Sequence, residues 1–157
     1  MVRLTTEAEK AAAKARLVGI RLAVLTLRMR ENWQRLFGDP DATLIALAIV
    51  AIVSERLLRT ELTPEYESLD KPMPLTDLSR CNINSIASAT GLNRETARRK
   101  VNQLVESGLL VKDGRAISLA PGFTQQALAI ETVQAQLDEI RRVVNDLIRV
   151  GAMDVAA

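Results

Sequence analysis

The chain contains no histidine, which removes the usual general base and the commonest metal ligand of enzymes. It has one cysteine, Cys81, so no intramolecular disulfide can form and nothing marks an oxidising compartment. With no histidine to activate it, that thiol is expected to serve as a small buried apolar group. The seven glycines stand one at a time, so there is no phosphate-cradling glycine loop. Acid pairs such as Glu65 and Glu67 sit in a loop without catalytic partners. The expectation is a protein that is not an enzyme and needs no metal and no cofactor. Aromatic residues make up only 3%, so the core must be assembled from Leu, Ile, Val and Ala. The longest apolar run, 44–53, is ten residues, too short to span a bilayer and suited to a buried helix. The first thirty residues are interspersed with Arg, Lys and Glu and lack the apolar centre of a signal peptide. A cytoplasmic protein with no membrane partner is therefore expected.

What remains is an ordinary globular balance. The 157 residues are 48% hydrophobic and 25% charged, enough for one domain with a sizeable core or for a compact module plus dimerising helices. The net charge of +2 is unevenly spread. Residues 1–38 carry eight Lys/Arg against three Asp/Glu, and residues 39–75 carry three against seven. Residues 91–115 carry six against three, and residues 116–157 three against five. Local cationic excess of this kind is what a polyanion partner needs, although a charged block is more often a solvated face.

Three regions follow from periodicity and breakers. Residues 1–38 read as a long helix from about Thr5 to Phe37, stopped by Gly38-Asp39-Pro40. In it Leu4, Ala8, Ala11, Ala15, Val18, Leu22, Leu25 and Met29 form one apolar row, and Ala13, Leu17, Ile20, Val24 and Leu27 a second. Two rows call for cover on two sides, by the chain's own core and by a second subunit. Residues 39–122 read as a middle domain. Its first helix is expected to be capped by Asp41 or Thr43 and to run through LIALAIVAIVSERLLR. The stretch 63–74 carries three of the five prolines and reads as a loop. Residues 123–157 are read as a final helix, about Thr124 to Val150. Its row Ile130, Val133, Leu137, Ile140, Val144 and Leu147 steps by three and four as a heptad seam does, but over fewer than three heptads, so it suits either a dimer seam or packing within the chain.

The most informative stretch is 82–119, which reads as two short helices, a tight turn and a hairpin. Asn84 is placed to cap the first helix, with Ile86 and Ala87 facing inward, and Gly91 supplies the positive φ of the turn. Leu92 plugs the turn into the core, and Asn93 can cap the second helix. Ala97, Val101, Leu104 and Val105 give that helix a buried stripe. The outer face keeps Arg94, Glu95, Thr96, Arg98, Arg99, Asn102 and Gln103. Arginine pairs with guanine O6 and N7, while Asn and Gln suit adenine, and the helix start offers N–H groups to a phosphate. Leu109 to Lys112 and Arg115 to Leu119 flank Asp113-Gly114, a preferred two-residue hairpin turn. Lys112 and Arg115 fall at its tip, within reach of phosphates.

The segment IASATGLNRETARRKVNQLVESGLLVKDG resembles the winged helix-turn-helix of bacterial transcription regulators of the MarR and GntR types. The positions that carry the likeness are Ile86, Ala87, Thr90, Gly91, Leu92, Arg94, Thr96, Arg99, Val101, Leu104, Gly108, Leu109 and Leu110. The resemblance implies a mainly α fold with a small β-wing: a winged helix-turn-helix flanked by long N- and C-terminal helices. It also implies a homodimer that binds double-stranded DNA at a palindromic operator. Asn93, Arg94, Glu95, Thr96, Arg98, Arg99, Asn102, Gln103, Lys112 and Arg115 would form the DNA-binding surface. No large effector domain is present, so a small-molecule effector would have to enter between helices, near Trp33, Phe37 and the 44–53 helix. Because winged helices also act as protein-binding adaptors in larger assemblies, that is the competing expectation. The cations Arg98, Arg99 and Lys100 weigh towards DNA.

Overall fold

The computed structural model describes residues 3–55, 57, 59, 63–73 and 79–156. The chain is mainly helical and holds two small antiparallel sheets of two strands each. It divides into two compact units, Gln34–Ile130 and Met1–Trp33 together with Glu131–Ala157. No single helix among the described residues is long and apolar enough to cross a membrane.

In the central unit the elements follow from caps and breakers. Gly38, Asp39 and Pro40 do end the preceding helix, and they also start the next one, α3 (Pro40–Val53). Asp39, rather than Asp41 or Thr43, is its cap: the carboxylate accepts from the Ala42 N–H at 2.9 Å. Pro40 occupies the first helical position, where a missing N–H costs nothing. Thr43 is instead buried within the helix. The helix was expected to continue to Arg59, but it stops at Val53 with Ser54 as its C-cap. Beyond it Leu57 N–H donates to the Ser54 carbonyl in a turn, and Arg56 and Leu58 lie outside the described residues. Within the 63–74 loop, Pro64–Tyr66 makes one short 3-10 turn, and Pro74 lies outside the described residues.

Next come α4 (Ile83–Thr90) and α5 (Arg94–Glu106), then a hairpin of β2 (Leu110–Asp113) and β3 (Ala116–Leu119). The central cluster of this unit is apolar. Ile45, Ile49 and Val53 of α3 pack with Cys81, Ile86 of α4, Ala97, Val101 and Leu104 of α5, and Leu110 and Ile117 of the hairpin. Burying a side chain of this size stabilises by roughly 1.5–3 kcal/mol. Cys81 takes the buried role expected of it, and burial pushes its thiol pKa up.

The terminal unit joins the two ends of the chain. A single helix from Thr5 was expected. Instead β1 (Arg3–Thr6) pairs antiparallel with β4 (Met153–Ala156), with Leu4 opposite Val155. A short helix α1 (Ala8–Ala13) follows, then a break at Lys14, then α2 (Ala15–Phe37). The break is held from outside, because the Lys14 ammonium donates to the Val150 carbonyl at 2.7 Å. The last helix, α6 (Ala127–Arg149), begins after turns at 124–126 and yields to a strand that the helical reading of 123–157 did not anticipate.

Within this unit α2 and α6 run antiparallel, joined by long polar side chains. Arg28 pairs with Glu139 at 3.3 Å and Arg21 with Asp146 at 3.5 Å. The Gln136 amide donates to the Met29 carbonyl at 2.8 Å. Buried positions on α6 include Thr132 and Gln136. The apolar rows lie elsewhere. Leu17, Ile20, Val24 and Leu27 of α2 are exposed, and so are Val133, Leu137 and Ile140 of α6, with Leu137 61% accessible. Of the row expected to form a seam from Ile130 to Leu147, only Leu147 is buried within the chain. In the first N-terminal row, Ala11, Val18, Leu25 and Met29 are half-buried, while Leu4, Ala8, Ala15 and Leu22 stay exposed.

Candidate nucleic-acid interface

The candidate surface is built by α4, α5 and the hairpin of the central unit. Asn82, not Asn84, caps α4: its side chain accepts from the Asn84 and Ser85 N–H groups at 2.9 and 3.1 Å. Ser85 closes the box by accepting from the Asn82 N–H at 2.9 Å. The helix thereby starts two residues earlier than an Asn84 cap would allow. At its far end Gly91 has φ +71°, a conformation L side chains rarely adopt, so the turn depends on glycine here. The Thr90 hydroxyl accepts from the Leu92 N–H at 3.3 Å, and Leu92 packs against the core. Asn93 caps α5 as expected, accepting from the Glu95 N–H at 2.9 Å.

Because Ala97, Val101 and Leu104 are buried, the opposite side of α5 must face outward. At 3.6 residues per turn, Glu95, Arg98, Arg99 and Asn102 share an outward arc roughly 100° wide. Thr96 and Gln103 flank it on one side and Arg94 lies towards the other. Arg94, Glu95, Arg98, Arg99 and Gln103 are exposed, and Thr96 and Asn102 are half-buried. Among the described residues Arg94 and Arg99 have no acidic partner, whereas Arg98 forms a two-pronged pair with Glu95. The Arg98 guanidinium and the nearby Arg99 and Arg94 hold the Glu95 carboxyl below its ordinary pKa, and Glu95 in turn raises that of Arg98.

Lys100 is the cation of the run that does not face outward. It is half-buried and paired with Asp39, the cap of α3. This contact ties the middle of α5 to the start of α3. The Lys100 hydrogen bond is the largest cause holding the Asp39 carboxyl pKa down, followed by the Ala42 N–H.

The end of α5 turns directly into the hairpin. Gly108 N–H donates to the Val105 carbonyl and Leu109 N–H to the Leu104 carbonyl, both at 3.0 Å, the paired bonds of a Schellman stop. The hairpin turn falls one residue later than expected. Asp113 is the last residue of β2 and pairs with Ala116, so Gly114-Arg115 is the two-residue loop. Gly114 has φ +58° and Arg115 has no positive φ, the signature of a type II′ turn. Arg115 therefore sits in the loop itself, and Lys112 stands on β2 opposite Ile117; both cations are exposed.

One residue of this neighbourhood escaped the sequence reading. Arg80 is exposed, and the next residue, Cys81, accepts from the Ile117 N–H at 2.9 Å. A cation is thus carried alongside the hairpin. Its only sequence signal was its place just before the first cap. Phe37, considered as part of an effector pocket, is buried and stacked on Phe123 with ring centroids 5.7 Å apart. Among the described residues no group of acids and cysteine could hold a metal ion. No protein-family model, no characterised protein and no solved structure matches this chain.

Proposed function

We propose that the chain is a sequence-specific DNA-binding transcriptional regulator, built on a winged helix-turn-helix and acting as a homodimer on a palindromic operator. The observation that carries the reading is the outward arc of α5. It holds donors and acceptors for base edges on a helix capped at its start, anchored along its inner face, and followed at once by a hairpin with Lys112 and Arg115. The first turns of α5 would enter the major groove, with Arg94, Arg98 and Arg99 available to guanine or phosphate and Asn102 and Gln103 to adenine. Lys112 and Arg115, with Arg80 beside them, would meet the sugar-phosphate backbone. An adaptor would be expected to present apolar groups on that arc, and it carries none.

The homodimer rests on the terminal unit. Val133, Leu137 and Ile140 form an exposed apolar row on α6, and Leu17, Ile20, Val24 and Leu27 are exposed on α2. A second copy laid antiparallel on this face would set the acidic first half of α6, with Glu131 and Asp138, against the second half with Arg141, Arg142 and Arg149. Such a two-fold arrangement presents two α5 helices to half-sites about 10 base pairs apart or a multiple of that. Selection of bound duplexes from a random pool, followed by a salt titration, tests the function. A palindromic consensus held in preference to random duplex is the expected result. Binding that is equal for all duplexes, or absent at low salt, rejects it.

A further inference from the structure

We propose that Glu95 is the positioning residue that makes Arg98 a reader of guanine, an inference that rests on the DNA-binding reading above. Glu95 receives the Arg98 Nε–H at 2.9 Å and an Nη2–H at 2.5 Å, one on each carboxylate oxygen. This occupies the side-on edge of the guanidinium. The end-on edge, formed by Nη1 and the second Nη2 proton, stays available, and two parallel donors there match guanine O6 and N7. The pair lies in the first two turns of α5, the part of a recognition helix that meets base edges.

The carboxylate also acts against the wrong partner. Unpartnered, Arg98 would bind any phosphate within reach, as Arg94 and Arg99 are free to do. With Glu95 locked to it, the pair carries no net charge and offers a phosphate a repelling carboxylate beside the guanidinium. The discrimination thus includes a repulsive element as well as an attractive one. The contact adds little to stability, as an exposed pair three residues apart. Glu95 also suits the positive end of the helix, so the test must separate that role from positioning.

Glu95→Gln and Glu95→Asp do so. Aspartate keeps the negative charge at the helix start but is one methylene too short to hold both Arg98 nitrogens; glutamine keeps the length and loses the charge. Affinities for the selected operator and for random duplex are measured across a salt series, with circular dichroism confirming unchanged helix content. Both variants should lower the ratio of specific to random affinity by about tenfold and relax one guanine position. The Gln variant alone should steepen the salt dependence by about one unit of slope. Variants that keep the wild-type ratio and the guanine preference overturn the proposal while leaving the regulator reading intact. Loss of preference in Gln but not in Asp overturns positioning in favour of simple charge. A wild-type protein that binds no duplex rejects the regulator reading and this inference with it.

Discussion

The two units of this chain differ in what they hide. The central unit hides Ile45, Ile49, Ile86, Val101, Leu110 and Ile117, with Thr43 a buried polar residue among them. The terminal unit hides Leu147 and Ala152 together with the polar Thr132 and Gln136, and shows Leu17, Ile20, Val24, Leu27, Val133, Leu137 and Ile140. The Gln136 Oε1 and Arg21 Nε atoms are buried without a hydrogen-bond partner among the described residues. A unit of the first kind gains its stability from its own core. One of the second kind leaves large apolar side chains in water, and under the proposed function a second copy would cover them. On the proposed homodimer reading, the middle of the chain would supply stability and its ends association.

The sharpest way to test that contrast is to damage each side separately. Ile86→Ala, at a fully buried position, should cost about 2–5 kcal/mol in urea unfolding. A loss under 1 kcal/mol would mean that the central core is not where stability resides. Leu137→Glu with Ile140→Lys should instead leave helix content intact, reduce the light-scattering mass from two chains to one, and weaken operator binding at least about a hundredfold through loss of the second half-site. A wild-type mass of one chain at micromolar concentration would refute the association role. Unfolding of the double variant would show that these side chains belong to a core after all.

Smaller effects refine the central unit. Arg99→Ala, at an exposed position on the outward arc, should weaken specific binding by about 1–3 kcal/mol and relax one base preference if it contacts a guanine. An equal loss on random duplex would reassign it to phosphate. Asp39→Asn should cost at most about 1 kcal/mol, through loss of the ion pair with Lys100, because asparagine can still cap α3. The sign with pH follows from the lowered Asp39 pKa. Stabilisation by this carboxylate is full above its unfolded pKa, near 4, and is lost as pH falls through the lower folded value. The Asn variant should therefore show a shallower loss of stability than wild type in acid titrations below about pH 4, and parallel curves would discount the brace. Lys112→Ala with Arg115→Ala should change affinity about uniformly across sequences and flatten the salt dependence by up to about two units of slope. An unchanged slope would remove the hairpin from the interface.

Local chemistry was legible in the residues wherever one short segment decides it. The Gly91 turn, the Asn93 cap, the stripe Ala97–Val101–Leu104 and the hairpin near Asp113-Gly114 each depend on neighbours within a few positions. Where two candidates for one role stood close together, the reading slipped. Asn84 and Asn82 are both asparagines within reach of the helix start, and only the Ser85 partner singles out Asn82 as the cap. Asp41 and Thr43 were preferred to Asp39, which precedes a proline and so caps α3 from just outside it. The hairpin turn was placed one residue early because Asp-Gly and Gly-Arg overlap.

Long-range pairing is what the sequence could not reveal. The β1–β4 sheet joins residues about 150 positions apart, and four-residue strands have no periodicity strong enough to announce themselves against a helical background. The inward turn of Lys100 depends on Asp39 lying across from it, and the link between Glu95 and Arg98 is a choice among side-chain conformers. Composition, caps and apolar spacing determined which segments coil and which stripe of each helix prefers burial, since those preferences are local free energies. Only the tertiary structure decided which stripes find cover within the chain: burial is shared by every element packed around a core, and α2 and α6 meet through Arg21–Asp146, Arg28–Glu139 and Gln136 while Leu17, Ile20, Val24, Leu27, Val133, Leu137 and Ile140 stay exposed.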